Sequence, residues 1–167
     1  IQTYTEEGFI CEYDTPESEF YERMTHCDRK VVRDVIEELK GQEPCKMLAI
    51  AYGCDRKHIE GFRESMLEYC KGKMDVCFSC YEYLEFMPEG INKGNSIRWM
   101  SEFLKIPMEH TIAVGDAEND ITMIQTAAVG AVMKNASDEI KQYGNYITEK
   151  DNNAGGVAEV IYKFMLS

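Results

Sequence analysis

Gly115-Asp116-Ala117-Glu118-Asn119-Asp120 is the stretch that decides the fold. An apolar run over residues 111–114 delivers three acidic side chains and an amide onto a turn, and a helical pattern follows. Carboxylates placed directly after a buried strand sit at the carboxyl end of a parallel sheet, where open α/β folds bind ligands. Asp116 and Asp120 are one loop turn apart, so both can approach a hard divalent ion such as magnesium, with phosphate oxygens and water completing the octahedron. A calcium EF-hand does not fit, because Ile121 stands where its glycine is required and Ala127 where its bidentate acid belongs.

Outward from this turn, strands and helices alternate. A helix is predicted over residues 93–105, with Ile97, Met100, Phe103 and Leu104 on one stripe, and strands over 111–114, 129–133 and 145–147. Helices are predicted after Asn119, over 138–142 and over 157–165, the last with Val157, Val160, Ile161 and Phe164 at helical spacing. Such alternation implies parallel pairing with right-handed crossovers. Lys93 opens the first of these helices, at the positive end of the dipole, where a cation is disfavoured. It makes sense there if an anion shares the site, since lysine and free backbone N–H groups together hold phosphate. No Gly-x-x-x-x-Gly-Lys-Ser/Thr sequence is present, so this is not a P-loop.

Before Pro88 the pattern changes. All seven cysteines lie there, with strands predicted over 9–13, 46–52, 74–78 and 81–87, and helices over 31–39 and 55–69. Asp55 is the expected N-cap of the latter helix, whose inner face carries Ile59, Phe62, Met66 and Tyr69. The chain thus reads as two domains, 1–87, a small α/β sandwich on a mostly antiparallel sheet, and 88–167, an α/β unit with parallel strands.

Thirty acidic against eighteen basic residues leave a net charge of -12, which disfavours binding to nucleic acid and to anionic membranes. A phosphorylated ligand must therefore be attracted locally, by a cation or a placed lysine. No apolar run is long enough to span a bilayer, residues 1–8 lack signal-peptide character, and the scattered cysteines suit reduced thiols, so the expected location is cytoplasmic. Cys77 and Cys80 have neither a second pair nor a nearby histidine, and a strand would point them to opposite faces. His26, His58 and His110 form no constellation with acids or thiols, while Tyr52, Tyr81 and Tyr83 are open to core or pocket use.

Four ordered motifs carry a resemblance: Gly90-Ile91-Asn92-Lys93-Gly94, Val114 through Met123, Met133-Lys134-Asn135-Ala136, and Gly155-Gly156-Val157-Ala158. From about Phe86 onward the chain resembles the C-terminal half of haloacid dehalogenase-like phosphatases of the Cof type, and the residues before it resemble that family's cap. The resemblance implies a partial Rossmann-like core preceded by an α/β cap, and a magnesium-dependent phosphatase of small phosphorylated metabolites such as sugar phosphates. It makes Lys93, Asp116, Asn119 and Asp120 catalytic, with the metal at Asp116 and Asp120. Lys93 would neutralise the transferring phosphoryl group, and Asn119 and Asp120 would position the phosphate, the lysine and the metal waters, in keeping with a reaction that is largely positioning and charge stabilisation. Lys134 departs from the glycine common beside this loop in relatives.

Family members attack phosphate with the first aspartate of an Asp-x-Asp pair ahead of the cap, forming an aspartyl-phosphate. This sequence contains no Asp-x-Asp pair. The isolated chain is accordingly expected to be inactive and to self-associate or be completed by a further N-terminal segment or another chain, because the exposed strand edge needs a partner. Two readings compete with a fragment of a phosphatase: one half of a split enzyme, and a non-catalytic metal- or phosphate-binding module.

Overall fold

The computed structural model describes residues 1–166, and its chain divides into two units, Ile1–Glu89 and Gly90 onward. In the first unit, β1 (Gln2–Thr5) and β2 (Gly8–Cys11) pair as a tight antiparallel hairpin, Thr5 opposite Gly8. Next comes α1 (Pro16–Thr25), which opens on a reciprocal cap: the Ser18 N–H donates to the Thr15 hydroxyl and the Thr15 N–H to the Ser18 hydroxyl. β3 (Arg29–Val31) and the single turn α2 (Val35–Glu38) follow, then β4 (Met47–Ile50), α3 (Arg56–Cys70), β5 (Met74–Phe78) and β6 (Tyr83–Pro88).

The helix expected over 31–39 is corrected by this order. Val31 instead adds to β2 as the end of a parallel strand, which suits its β-branched side chain. Asp34 then caps only one turn, donors Ile36 and Glu37 N–H both reaching its carboxylate, before Gly41 takes a left-handed φ of 77°. Strand β1 and helix α1 are additions to the predicted elements.

The six strands lie in the order β3-β2-β1-β4-β6-β5, antiparallel except for β2 with β3. Successive strand residues face opposite ways. Leu48 therefore packs with Phe9 and Tyr21 of α1, whereas Ala49 joins Leu84, Phe86, Ile59 and Cys70 of α3. The sheet is clothed by α1 on one face and α3 on the other. Phe62 meets Phe86 edge-on at 6.0 Å.

The second unit runs α4 (Lys93–Leu104), β7 (Ile112–Gly115), α5 (Ile121–Thr126), β8 (Val129–Val132), α6 (Asp138–Lys141), β9 (Tyr146–Ile147) and α7 (Gly156–Phe164). Its strands pair in parallel in the order β7-β8-β9, so α5 and α6 are crossovers on one face, with Ile124, Val132, Ala136 and Ile140 as the core beneath them. The α/β class with a parallel sheet is thus as the sequence implied. Of the predicted stripe on α4, Met100, Phe103 and Leu104 are exposed, as is Trp99, stacked on Phe103 at 5.1 Å. Among the described residues, no helix is long and apolar enough to cross a membrane.

One carboxylate fastens α7 to the segment after β9. Glu159 accepts the Tyr146 O–H at 2.5 Å and the N–H groups of Glu149 and Lys150 at 2.9 and 3.0 Å. The Tyr146 hydroxyl holds Glu159 below the usual carboxylate range, and the same bond pushes Tyr146 up to about 12. A depressed carboxyl favours folding above its unfolded value of about 4.3 and loses that contribution as pH falls through the folded value. The raised phenol contributes below about 10 and loses its share as pH climbs through the folded value. Glu159→Gln is expected to melt at lower temperature than the parent at pH 7, with the gap narrowing as pH falls below the ordinary carboxylate range, in thermal scans from neutral to acid pH.

Candidate active site

Parallel pairing brings the carboxyl ends of β7, β8 and β9 to one side of the sheet, and the polar groups after each strand gather there. Asp116 follows β7 directly, on a turn that tightens into a 3-10 segment, Glu118–Asp120. The chain can fold back this sharply because Gly115 has no side chain: a Cβ there would lie 2.4 Å from the Asp120 Cβ. Asp120 is buried, with 7% of its side chain exposed, and both of its oxygens are engaged. Oδ2 accepts the N–H groups of Asp116 and Ala117 at 2.9 and 3.1 Å, and Oδ1 meets Lys93 Nζ at 2.5 Å.

Lys93 arrives from the start of α4, whose N-cap Asn92 accepts the Asn95 N–H at 2.9 Å. The Gly94 N–H donates to Thr122 Oγ1 at 3.0 Å, which docks this helix start on α5. Gly94 admits no larger residue without displacement, since a Cβ would sit 2.5 Å from the Thr122 carbonyl oxygen. The lysine that seemed misplaced on dipole grounds thus has an anion beside it, and that anion is Asp120. The Lys93 side chain is about half exposed, and its ammonium has donors beyond the one that meets Asp120.

Asp116 is different. Its Oδ2 accepts from Asn135 Nδ2 at 3.3 Å, and among the described residues its Oδ1 has no partner. Asn119 lies on the same short turn, partly exposed. The structure therefore gathers Lys93, Asp116, Asn119 and Asp120 at one strand end. It adds two residues that sequence reasoning did not assign, Asn135 after β8 and Asn152 after β9, joined by the Asn152 N–H to Asn135 Oδ1 bond of 3.0 Å. Asn135 stood in a quoted motif, but only the fold reveals what it touches.

The profile of the haloacid dehalogenase-like hydrolases matches residues 1–161. The chain belongs to that family. Among relatives, a Streptococcus pyogenes protein carrying a phosphatase name is 36% identical over 131 residues, 78% of this chain and 47% of that one. The 5-amino-6-(5-phospho-D-ribitylamino)uracil phosphatase of Bacillus subtilis is 34% identical over 118 residues, 70% of this chain and 47% of that one. A haloacid dehalogenase-like hydrolase from Bacteroides thetaiotaomicron superposes with a TM-score of 0.78 at 27% identity, over 97% of this chain and 59% of that one. The chain spans about half the length of the curated relatives it matches.

Within the family frame, the donor set suits a hard cation sparingly. Among the described residues, no three His, Cys, Asp or Glu side chains converge as a metal cage. Magnesium does not need one: it commonly takes one or two carboxylates and fills its octahedron with water and phosphate. Asp116 Oδ1 meets that requirement, whereas Asp120 already accepts three bonds, two at Oδ2 and one at Oδ1. Elsewhere, a hollow of about 820 Å³ in the first unit is lined by Arg29 and Lys30, but these already pair with Glu22 and Glu38. Tyr83 packs edge-on against Tyr21 at 5.8 Å, and Tyr52 stacks on Phe20 at 4.2 Å. Desolvation pushes the Cys80 thiol up.

Proposed function

We propose that the chain is the cap and the C-terminal part of the core of a magnesium-dependent phosphatase acting on small phosphorylated metabolites, sugar phosphates among them. The observation that carries this reading is the pairing of a half-exposed Lys93 with a buried Asp120, next to an Asp116 whose Oδ1 has no partner among the described residues. Lys93 binds the transferring phosphoryl oxygens, held in place by Asp120, which also fixes the backbone under Asp116. Asp116 is the metal ligand, and Asp120 stands behind it as the group that positions both. Asn119 orients the phosphate from the adjacent turn. Bound magnesium supplies charge neutralisation at the phosphoryl oxygens.

The nucleophile and leaving-group acid of an aspartyl-phosphate mechanism have no candidate here, since the sequence has no Asp-x-Asp pair. Two features support completion by a further strand. Among the described residues β7 pairs with β8 alone, which leaves its other edge open, and the α4 face bearing Trp99, Met100, Phe103 and Leu104 is exposed.

The test is hydrolysis of para-nitrophenyl phosphate with magnesium by the 167-residue chain and by a version extended upstream through a strand bearing Asp-x-Asp. Activity in the extended protein alone is expected. Turnover by the short chain that depends on Asp116 would refute the missing-nucleophile account, and silence in both would favour a non-catalytic binding module.

A further inference from the structure

The carboxyl ends of the three parallel strands are laced together by side chains that the proposed chemistry does not use. Thr148, 2% exposed, accepts the Lys134 N–H at 2.9 Å and donates to the Lys150 carbonyl at 2.6 Å. That ties the loop after β8 to the loop after β9. Asn135 continues the lacing: its Oδ1 accepts the Asn152 N–H at 3.0 Å, and its Nδ2 donates to Asp116 Oδ2 at 3.3 Å.

The orientation of the Asn135 amide follows from chemistry. A backbone N–H can only donate, so the atom facing Asn152 is the oxygen. The nitrogen then faces the Asp116 carboxylate, which accepts its N–H. Each end of this amide is matched to its neighbour, and turning it over would break both bonds.

We infer that Asn135 is a positioning residue for Asp116: held by Asn152, it occupies Oδ2 and so presents Oδ1 alone to a divalent cation. The inference rests on the reading of Asp116 as the metal ligand. A carboxylate offering one oxygen suits the six-coordinate geometry of magnesium, whereas a freely rotating one also offers the bidentate grip that larger cations accept. Groups that hydrogen-bond to a metal ligand fix its orientation, and their loss commonly weakens binding by about 10- to 100-fold. Asn135 therefore sets both the affinity of Asp116 for a small cation and its preference over calcium.

The experiment uses the 167-residue chain, with manganese and calcium titrated by calorimetry, and amide nitrogen–proton spectra that check folding and follow a magnesium titration. Asn135→Ala is expected to weaken manganese binding about tenfold and to narrow the manganese-over-calcium preference, with the strand signals of β7 and β8 in place. In the unaltered chain, magnesium is expected to shift the side-chain amide pair of Asn135, and Asp116→Ala to abolish that shift. The latter measurement needs no change at Asn135, so it stands even if Asn135→Ala misfolds. Parental manganese affinity and selectivity in Asn135→Ala, with binding lost in Asp116→Ala, would overturn the inference and leave the Asp116 reading intact. Cation binding indifferent to Asp116→Ala would overturn both.

Discussion

Asp116→Ala in a protein completed with its nucleophile strand is expected to lower magnesium-dependent kcat by about a thousand-fold, the scale of loss when a placed charge-stabilising group is removed from a reaction centre. Folding should hardly notice. Asp116 is partly exposed and its carboxylate makes one 3.3 Å bond, so its removal costs about 1 kcal/mol or less. The separation between activity and stability is the diagnostic. Steady-state rates across a magnesium titration, set beside melting curves of the same two proteins, measure it. Retained turnover in Asp116→Ala would remove Asp116 from the metal site, and a large fall in melting temperature would recast it as a folding residue.

Asp120→Ala is expected to do the opposite first. The buried carboxylate satisfies the N–H groups of Asp116 and Ala117 and also anchors Lys93. Without it, two inward N–H groups lose their acceptor and a helix start loses its compensating anion. Stranded polar groups cost about 1–3 kcal/mol each, and half-exposed Lys93 can turn to water, so the sum is about 3 kcal/mol. For a unit of this size that corresponds to a fall of about 10–20 °C in its melting transition. Asp120→Asn should lose less, because an amide oxygen can still accept the two N–H bonds while its NH2 group confronts Lys93. Calorimetric unfolding of the three proteins checks the order, and an unshifted transition in Asp120→Ala would mean that the turn is held by something else.

Much of this site could be read from the residues, and the reasons are local. Asp116, Asn119 and Asp120 follow a strand with a clear apolar run, and Lys93 stands at a helix start whose cap, Asn92, precedes it. Parallel pairing then followed from strict strand–helix alternation. What escaped reading depends on distant partners. Asp120 looks in the sequence like a second ligand, and only the fold shows that it is buried and accepts three bonds. Asn135 and Asn152 lie 17 residues apart, and no periodicity announces that their loops meet. In the first unit, α1 went unread although Thr15 and Ser18 cap its start, and residues 31–39 carried helical spacing that pairing of Val31 with Cys11 overrode. The stripe on α4 shows a further limit: spacing predicts which residues share a face, not whether anything covers it.

The lacing of three strand ends also fixes the order in which the protein is made ready. Every strand of the first unit has been synthesised before Lys93 is added, so that unit can fold while the second is still emerging from the ribosome. The site has no such head start. Lys93 cannot settle until Asp120 exists, and the amide beside Asp116 is not oriented until Asn152 has been added and β9 has docked in parallel. Parallel pairing needs long crossovers and forms slowly. The assembled strand end is therefore a late acquisition, and a nascent chain carries its acidic turn long before Lys93, Asn135 and Asn152 are in place around it.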